Sequence, residues 1–103
     1  MVVIVFRSRV RAGTEERLVA DGERMYRLAS AMPGFVSYKD FVAEDGENAT
    51  LVEFDTLEHL AAWRNHPEHK KVQQKGREQY FSEYRIQVCS TVRDYDFKLE
   101  GGI

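Results

Sequence analysis

The chain has 103 residues, of which 31% are charged, 43% hydrophobic and 12% aromatic, enough apolar material for one core and too much for a disordered chain. Fifteen Lys and Arg against 17 Asp and Glu leave a formal charge of −2, which excludes a strong global field for nucleic acid or an anionic membrane. One cysteine, Cys89, excludes an internal disulfide framework and fits a reducing compartment.

The apolar run Val2 to Phe6 is only five residues and is followed by Arg7, Arg9 and Arg11. That is too short for a signal peptide or a membrane span, so the expectation is a soluble, cytoplasmic protein. Residues 2–10 read as a strand, with Val3 and Val5 on one face and Ile4, Phe6, Ser8 and Val10 on the other. Ala12-Gly13 breaks it. Thr14 is a candidate N-cap, and Glu15 and Glu16 complement the dipole of the helix that follows. Leu18, Gly22, Met25, Ala29 and Met32 form its apolar stripe to about Ala31, where Pro33-Gly34 ends it.

Residues 35–43 alternate as a second strand, residues 44–48 contain an Asp-Gly turn, and residues 49–54 form the third strand. Asp55 with Glu58 resembles a capping box opening a helix through Leu57, Leu60, Ala61 and Trp63. Pro67 suits the first position of another helix capped by His66, which Val72, Gly76 and Tyr80 continue to about Ser82. Residues 84–97 read as a long last strand, and residues 98–103 as a flexible tail outside a single domain spanning 1–97.

The order β-α-β-β-α-β predicts an α+β, ferredoxin-like domain with helices on one face of an antiparallel sheet. Both faces of the sheet carry apolar residues, and two helical segments cover only one. A second copy packed on the other face predicts a homodimer with twofold symmetry.

Candidate functional residues concentrate around Trp63. All three histidines, His59, His66 and His69, lie within eleven positions that include it. A histidine suits a general base, since its ordinary pKa lies near neutrality. His66 and His69 have His-x-x-His spacing, but a zinc site wants three or four ligands, so no metal is expected. Tyr80, Phe81, Tyr84 and Phe41 belong to a set of aromatics spread over every element, most of them destined for the core or an interface. Cys89 sits among apolar strand residues and reads as a buried small side chain. The run Lys70 to Arg77 reads as a solvated helix face. The chain has no Gly-rich nucleotide loop, Rossmann fingerprint, nucleophile elbow or Cys-x-x-Cys pair.

The segments MPGFVSYKDFVAEDGE, LVEFDTLEHLAAWRNHPEHKKVQQKGREQYFSEYRIQVC and RDYDF resemble the antibiotic biosynthesis monooxygenase family, over roughly residues 1–97. The resemblance implies a dimeric α+β barrel. Relatives oxidise aromatic polyketides or quinols, degrade haem, isomerise small sugars, or have no assigned activity. It implies that Trp63 is an aromatic wall against a flat substrate, that His59 lies where a polyketide-oxidising relative has an asparagine, and that Arg85 stabilises developing negative charge. Haem-degrading relatives ligate iron about ten residues beyond the tryptophan, where this chain has Gln73, and the first strand lacks their asparagine.

These readings converge on a cofactor-independent monooxygenase acting on a small aromatic phenol or quinol. Its expected catalytic residues are His59, His66 and Arg85. Its expected substrate-binding residues are Trp63, Tyr80, Tyr84 and Phe41. The alternative is a non-catalytic ligand-binding or assembly domain of the same fold, with haem or isomerase chemistry behind it.

Overall fold

The first strand, β1 (Val2–Val10), is apolar on both faces for its first half, which suits a central position. In the computed structural model, which describes residues 1–100, β1 lies between two antiparallel partners. The chain continues through α1 (Glu15–Ser30), β2 (Phe35–Val42), β3 (Asn48–Phe54), α2 (Leu57–Arg64), α3 (Pro67–Lys75), a π-helical turn (Gly76–Tyr80) and β4 (Phe81–Ser90). The sheet order is β2-β3-β1-β4, all neighbours antiparallel, which is the expected ferredoxin-like α+β arrangement.

One register links the faces. Val2 pairs with Phe54 and Ser90, Ile4 with Val52 and Val88, Phe6 with Thr50 and Ile86, Ser8 with Asn48 and Tyr84. This set faces the helices, where Val2, Val52 and Phe54 pack with Met25, Ala29, Leu60 and Trp63. Alternation sends Val3, Val5, Arg7, Leu51, Arg85, Gln87 and Cys89 to the opposite face.

The last strand is shorter and earlier than the sequence suggests. It starts at Phe81 and ends at Ser90, not 84–97, because each residue needs a partner on β1 and β1 is used up at Val2. A final bond from the Thr91 N–H to the Met1 carbonyl (3.0 Å) closes the ladder. The helix expected to reach Ser82 ends at Lys75 and widens into a π turn. Gly76 permits this, since a Cβ there would lie 2.8 Å from the Phe81 ring. Cys89 is exposed and not buried, because it falls on the uncovered face. Residues 101–103 of the expected tail lie outside the described residues.

Two of the three helix starts differ in detail. Thr14 precedes α1 but has helical backbone angles, and its hydroxyl donates to the Arg11 carbonyl (2.8 Å) instead of capping. Thr56, not Asp55, caps α2 by accepting the His59 N–H (3.1 Å). Asp55 instead binds the His59 ring, with Oδ1 2.6 Å from Nδ1, and this bond holds the Asp55 pKa below its ordinary value. His66 caps α3 as expected, its Nδ1 accepting the Glu68 N–H (3.1 Å), with Pro67 in the first turn.

The Asp55–His59 pair folds over Gly34, which has φ +80°. A Cβ at Gly34 would collide with both Asp55 Oδ1 and His59 Nδ1. Gly34→Ala therefore combines a left-handed conformation with a steric clash, and we expect a loss of about 2–3 kcal/mol in urea unfolding. Gly22 lies inside α1 with nothing within 4 Å of a Cβ, so Gly22→Ala should gain about 0.5–1 kcal/mol in the same assay.

Candidate active site

The helix-facing rows of the sheet are close-packed at the Val2 end and open toward the Phe6 end. There a cavity of about 1040 Å³ separates the sheet from α1, α2 and α3. Ile4, Phe6, Ser8, Thr50, Val52, Tyr84, Ile86 and Val88 make its floor, all from the alternate positions that β1 dictates. Tyr38 and Asp40 of β2 continue the floor on one side, and the helices supply the opposite wall.

Trp63 closes the packed end. It is 1% exposed, sits on α2 three residues after buried Leu60, and is one of the residues lining the cavity. The chain reverses at Asn65-His66-Pro67, and α3 brings His69 back over the indole. The two rings stack at 4.1 Å between centroids and 13° between planes. His69 Nδ1 lies 3.2 Å from the Trp63 carbonyl oxygen, which can only accept, so a bond between them puts the proton on Nδ1; the Gln73 amide nitrogen, 3.4 Å from the same atom, makes its shorter bond to the Arg64 carbonyl (3.1 Å). The lone pair then belongs to Nε2, on a residue that lines the cavity. Burial pushes the His69 pKa below its ordinary value, which keeps the ring neutral at physiological pH; the carbonyl bond opposes this and His66 adds to it.

Five further aromatic rings, Phe6, Tyr26, Tyr38, Phe81 and Tyr84, join aliphatic and charged side chains in the lining. Phe6 stacks on Tyr84 at 5.5 Å and meets Phe81 edge-on at 5.2 Å, while Tyr26 and Tyr38 make an edge contact at 5.6 Å. Burial, aided by Asp40, pushes the Tyr38 phenol up to about 12, so it is a proton-bearing hydroxyl. Asp40 itself accepts the Thr50 hydroxyl (2.5 Å). Polar groups of Ser8, Asn48, Thr50 and Asp40 thus gather at the end of the floor away from the apolar core.

Of the expected catalytic and substrate-binding residues, the structure brings Trp63 and Tyr84 to this cavity. His59 is engaged with Asp55 over the Gly34 turn, outside the lining. His66 is occupied as the α3 cap, its ring 5.9 Å from Trp63 and tilted by 50°. Arg85 pairs with Arg7 on the opposite sheet face, where Arg7 forms a bidentate ion pair with Glu47 (2.9 and 3.1 Å). Phe41 also falls on that face, beneath the Lys39 ammonium. Tyr80 is buried beside the cavity with its hydroxyl on Asp21 (2.5 Å), a bond that raises its pKa.

Tyr80 and Asp21 belong to the ties that hold α3 in place. No residue of α3 is buried, and its links to α1 include Arg24 to Glu68 at 2.7 Å and Lys75 to Asp21 at 3.6 Å. His69, named in the sequence beside Trp63 but not counted among the expected catalytic residues, is the histidine that lines the cavity. Its spacing from Trp63 carried no sign of contact, because the turn at His66 replaces the straight helix on which that spacing would be judged. Among the described residues no group of three His, Cys, Asp or Glu converges for a metal ion, and no helix is long and apolar enough to cross a membrane.

A four-stranded ferredoxin-like sheet with an aromatic cavity under its helices defines a class of small α+β domains. Residues 1–75 match the family model described as antibiotic biosynthesis monooxygenase, and the chain belongs to that family. It is similar to the uncharacterized protein YqjZ of Bacillus subtilis, 32% identical over 76 residues, which are 74% of this chain and 67% of that one. Its fold is similar to that of Rv0793 from Mycobacterium tuberculosis, with a TM-score of 0.81, 19% identity and coverage of 92% and 98%. It is also similar to a mutant form of SnoaB, a cofactor-independent oxygenase from Streptomyces nogalater, with a TM-score of 0.77, 14% identity and coverage of 90% and 94%.

The His69 environment makes a measurable claim on stability. A histidine with a folded-state pKa below its unfolded value contributes fully above about pH 6.5, and that contribution is lost as pH falls toward the folded value. His69→Phe keeps a ring over Trp63 but cannot titrate. Urea unfolding across pH should show a shallower decline below about pH 6.5 for this variant than for the parent.

Proposed function

We propose that this protein is a cofactor-independent monooxygenase that oxidises a planar phenol or quinol with O2. The observation that carries this reading is the His69 ring, held by the Trp63 carbonyl and stacked on the indole at the edge of a cavity lined in part by aromatic rings. A flat substrate suits walls built from Trp63, Phe6, Phe81 and Tyr84. His69 Nε2 accepts the phenolic proton, and the electron-rich phenolate passes one electron to O2. The radical pair combines at a ring carbon, forming a C–O bond and a hydroperoxide. Loss of the ring proton and cleavage of the O–O bond release water and leave a carbonyl. A phenol with a free para position thus yields a para-quinone and water, with all four electrons supplied by the substrate. The protonated Tyr38 hydroxyl, together with the cavity-lining Arg27, Arg64 and Arg77, supports the negative charge that develops.

This assignment moves the base from His59 or His66 to His69 and the charge stabilisation away from Arg85. A second reading, a ligand-binding or assembly domain without catalysis, is favoured by the placement of His59, His66 and Arg85 outside the cavity. The outer sheet face carries Val3, Val5, Leu51 and Phe41 without a covering layer, which supports the homodimer. An exposed Cys89 thiol supports a reducing, cytoplasmic setting.

Oxygen uptake with a panel of phenols and hydroquinones tests the reading. We expect turnover that rises with pH as His69 loses its proton. His69→Phe should lower kcat about 100-fold or more, while Trp63→Phe should mainly raise KM. His59→Ala and Arg85→Ala should change kcat by less than about threefold, well under the 100-fold share of a general base. Turnover indifferent to His69 would remove it from the site; saturable binding without any uptake would establish the binding-domain reading.

A further inference from the structure

We propose that Ser8, Asn48, Thr50 and Asp40 form a subsite for a diol, carried by the substrate at the end away from its reacting ring. The subsite rests on the substrate reading of the cavity given above and adds what the phenol or quinol bears besides its aromatic hydroxyl.

Ser8 interrupts an apolar row. Val2, Ile4 and Phe6 precede it on the helix-facing side of β1. It is 4% exposed, and a hydroxyl so placed costs free energy unless it finds a partner. The other buried polar side chain, Thr14, has one in the Arg11 carbonyl (2.8 Å). The Ser8 hydroxyl bonds to no protein group among the described residues, yet no sealed side-chain oxygen there lacks a partner. Its Oγ therefore reaches open space, and alternation turns it to the cavity that it lines.

Strand pairing sets three more polar groups beside it. Asn48 is its cross-strand partner on β3, Thr50 follows Asn48 on the same face, and Asp40 stands opposite Thr50 on β2. Directly opposed positions have Cβ atoms about 5 Å apart and diagonal ones about 7 Å. The four residues thus make two adjacent corners, Ser8 with Asn48 and Thr50 with Asp40.

The corners differ in what they ask of a ligand. Thr50 donates its hydroxyl proton to Asp40 (2.5 Å), so both residues can only accept from a ligand. That corner rejects carboxylates, phosphates and ketones, which bring no proton. Ser8 and Asn48 both donate as well as accept, so an ammonium would leave their donors unused. A hydroxyl at each corner satisfies both, and two hydroxyls on neighbouring carbons fit two neighbouring corners. The cavity's arginines, Arg27, Arg64 and Arg77, come from the helical side and not from this patch of the floor.

The register also sets the distance. Val52 belongs to the core group that contains Trp63, and Thr50 and Asn48 lie two and four residues farther along β3. At the rise of a strand those steps are about 7 and 14 Å, a gap that a flat pair of fused rings bridges.

Isothermal titration calorimetry on the full chain tests the subsite. The probes are three 2-naphthols that carry, at the far end of the ring pair, a dihydroxyethyl, an ethyl or a carboxyl group. The dihydroxyethyl compound should bind about tenfold or more tighter than the other two, the share of one or two hydrogen bonds. Ser8→Ala should cut its advantage over the ethyl compound at least about threefold and leave urea unfolding unchanged, since the hydroxyl has no protein bond to lose. Asp40→Asn, which can donate, should bring the carboxyl compound within about threefold of the dihydroxyethyl one. Equal binding of the dihydroxyethyl and ethyl compounds, or an advantage unchanged by both substitutions, overturns the subsite and leaves the cavity as the binding site. Selective binding without oxygen uptake supports the subsite and counts only against the oxygenase. No saturable binding of any of the three overturns both.

Discussion

The register of β1 against β3 and β4 decides what every other element can do. Because β1 is paired on both sides, one alternation runs through the three strands, and a slip by a single residue would exchange the two faces of each. In the observed register Val2 seats against Val52 and Phe54 with the helices above. Ile4, Phe6 and Ser8 then point under the same helices, and Arg7 and Arg85 point away from them. The hydrophobic effect selects this register: reversing it would bury Arg7 and Arg9 under α1 and expose Val2, Ile4 and Phe6.

The cavity follows from that choice. Apolar helix residues are sufficient to fill the Val2 end, where Met25, Ala29, Leu60 and Trp63 meet the sheet. They do not reach the Phe6 end, where α3 has no buried residue and is held to α1 through charged side chains. Exposed ion pairs of this kind contribute little stability individually. They nevertheless place α3, and with it His69, over the indole of Trp63. The ring stack and the carbonyl bond then orient the imidazole, and burial lowers its pKa. The placement of the His69 ring thus depends on a short helix whose own packing is slight.

Much of the fold is legible along the chain. Alternation in residues 2–10 and 35–43, the Asp-Gly turn, and the apolar stripe of α1 lead to the right element order and the right fold. His66 before Pro67 marks a true helix start, because both signals act within one turn of backbone. The departures share a cause. Alternation over 94–99 carries the expected last strand to residue 97, but a strand's length is set by its partner, and β1 stops at Val2. Asp55 has the spacing of a cap, yet Thr56 has the cap geometry and Asp55 is taken by His59. The apolar neighbours of Cys89 suggest burial, but alternation puts it on the face that no helix covers.

By itself the sequence determined the class of fold, the family, and the importance of the segment around Trp63, since these rest on local periodicity and on residues close in the chain. Only the tertiary structure decided which histidine faces the cavity and which arginine does not. His59, His66 and His69 are chemically equivalent in one dimension. One becomes a partner of Asp55, one a helix cap and one a half-buried ring stacked on Trp63, because the turn at Asn65-His66-Pro67 folds α3 back over α2. Arg85 and Tyr84 are adjacent in the chain and lie on opposite faces of the sheet. The physical reason in each case is that orientation comes from pairing and packing partners remote in sequence, which composition and spacing do not encode.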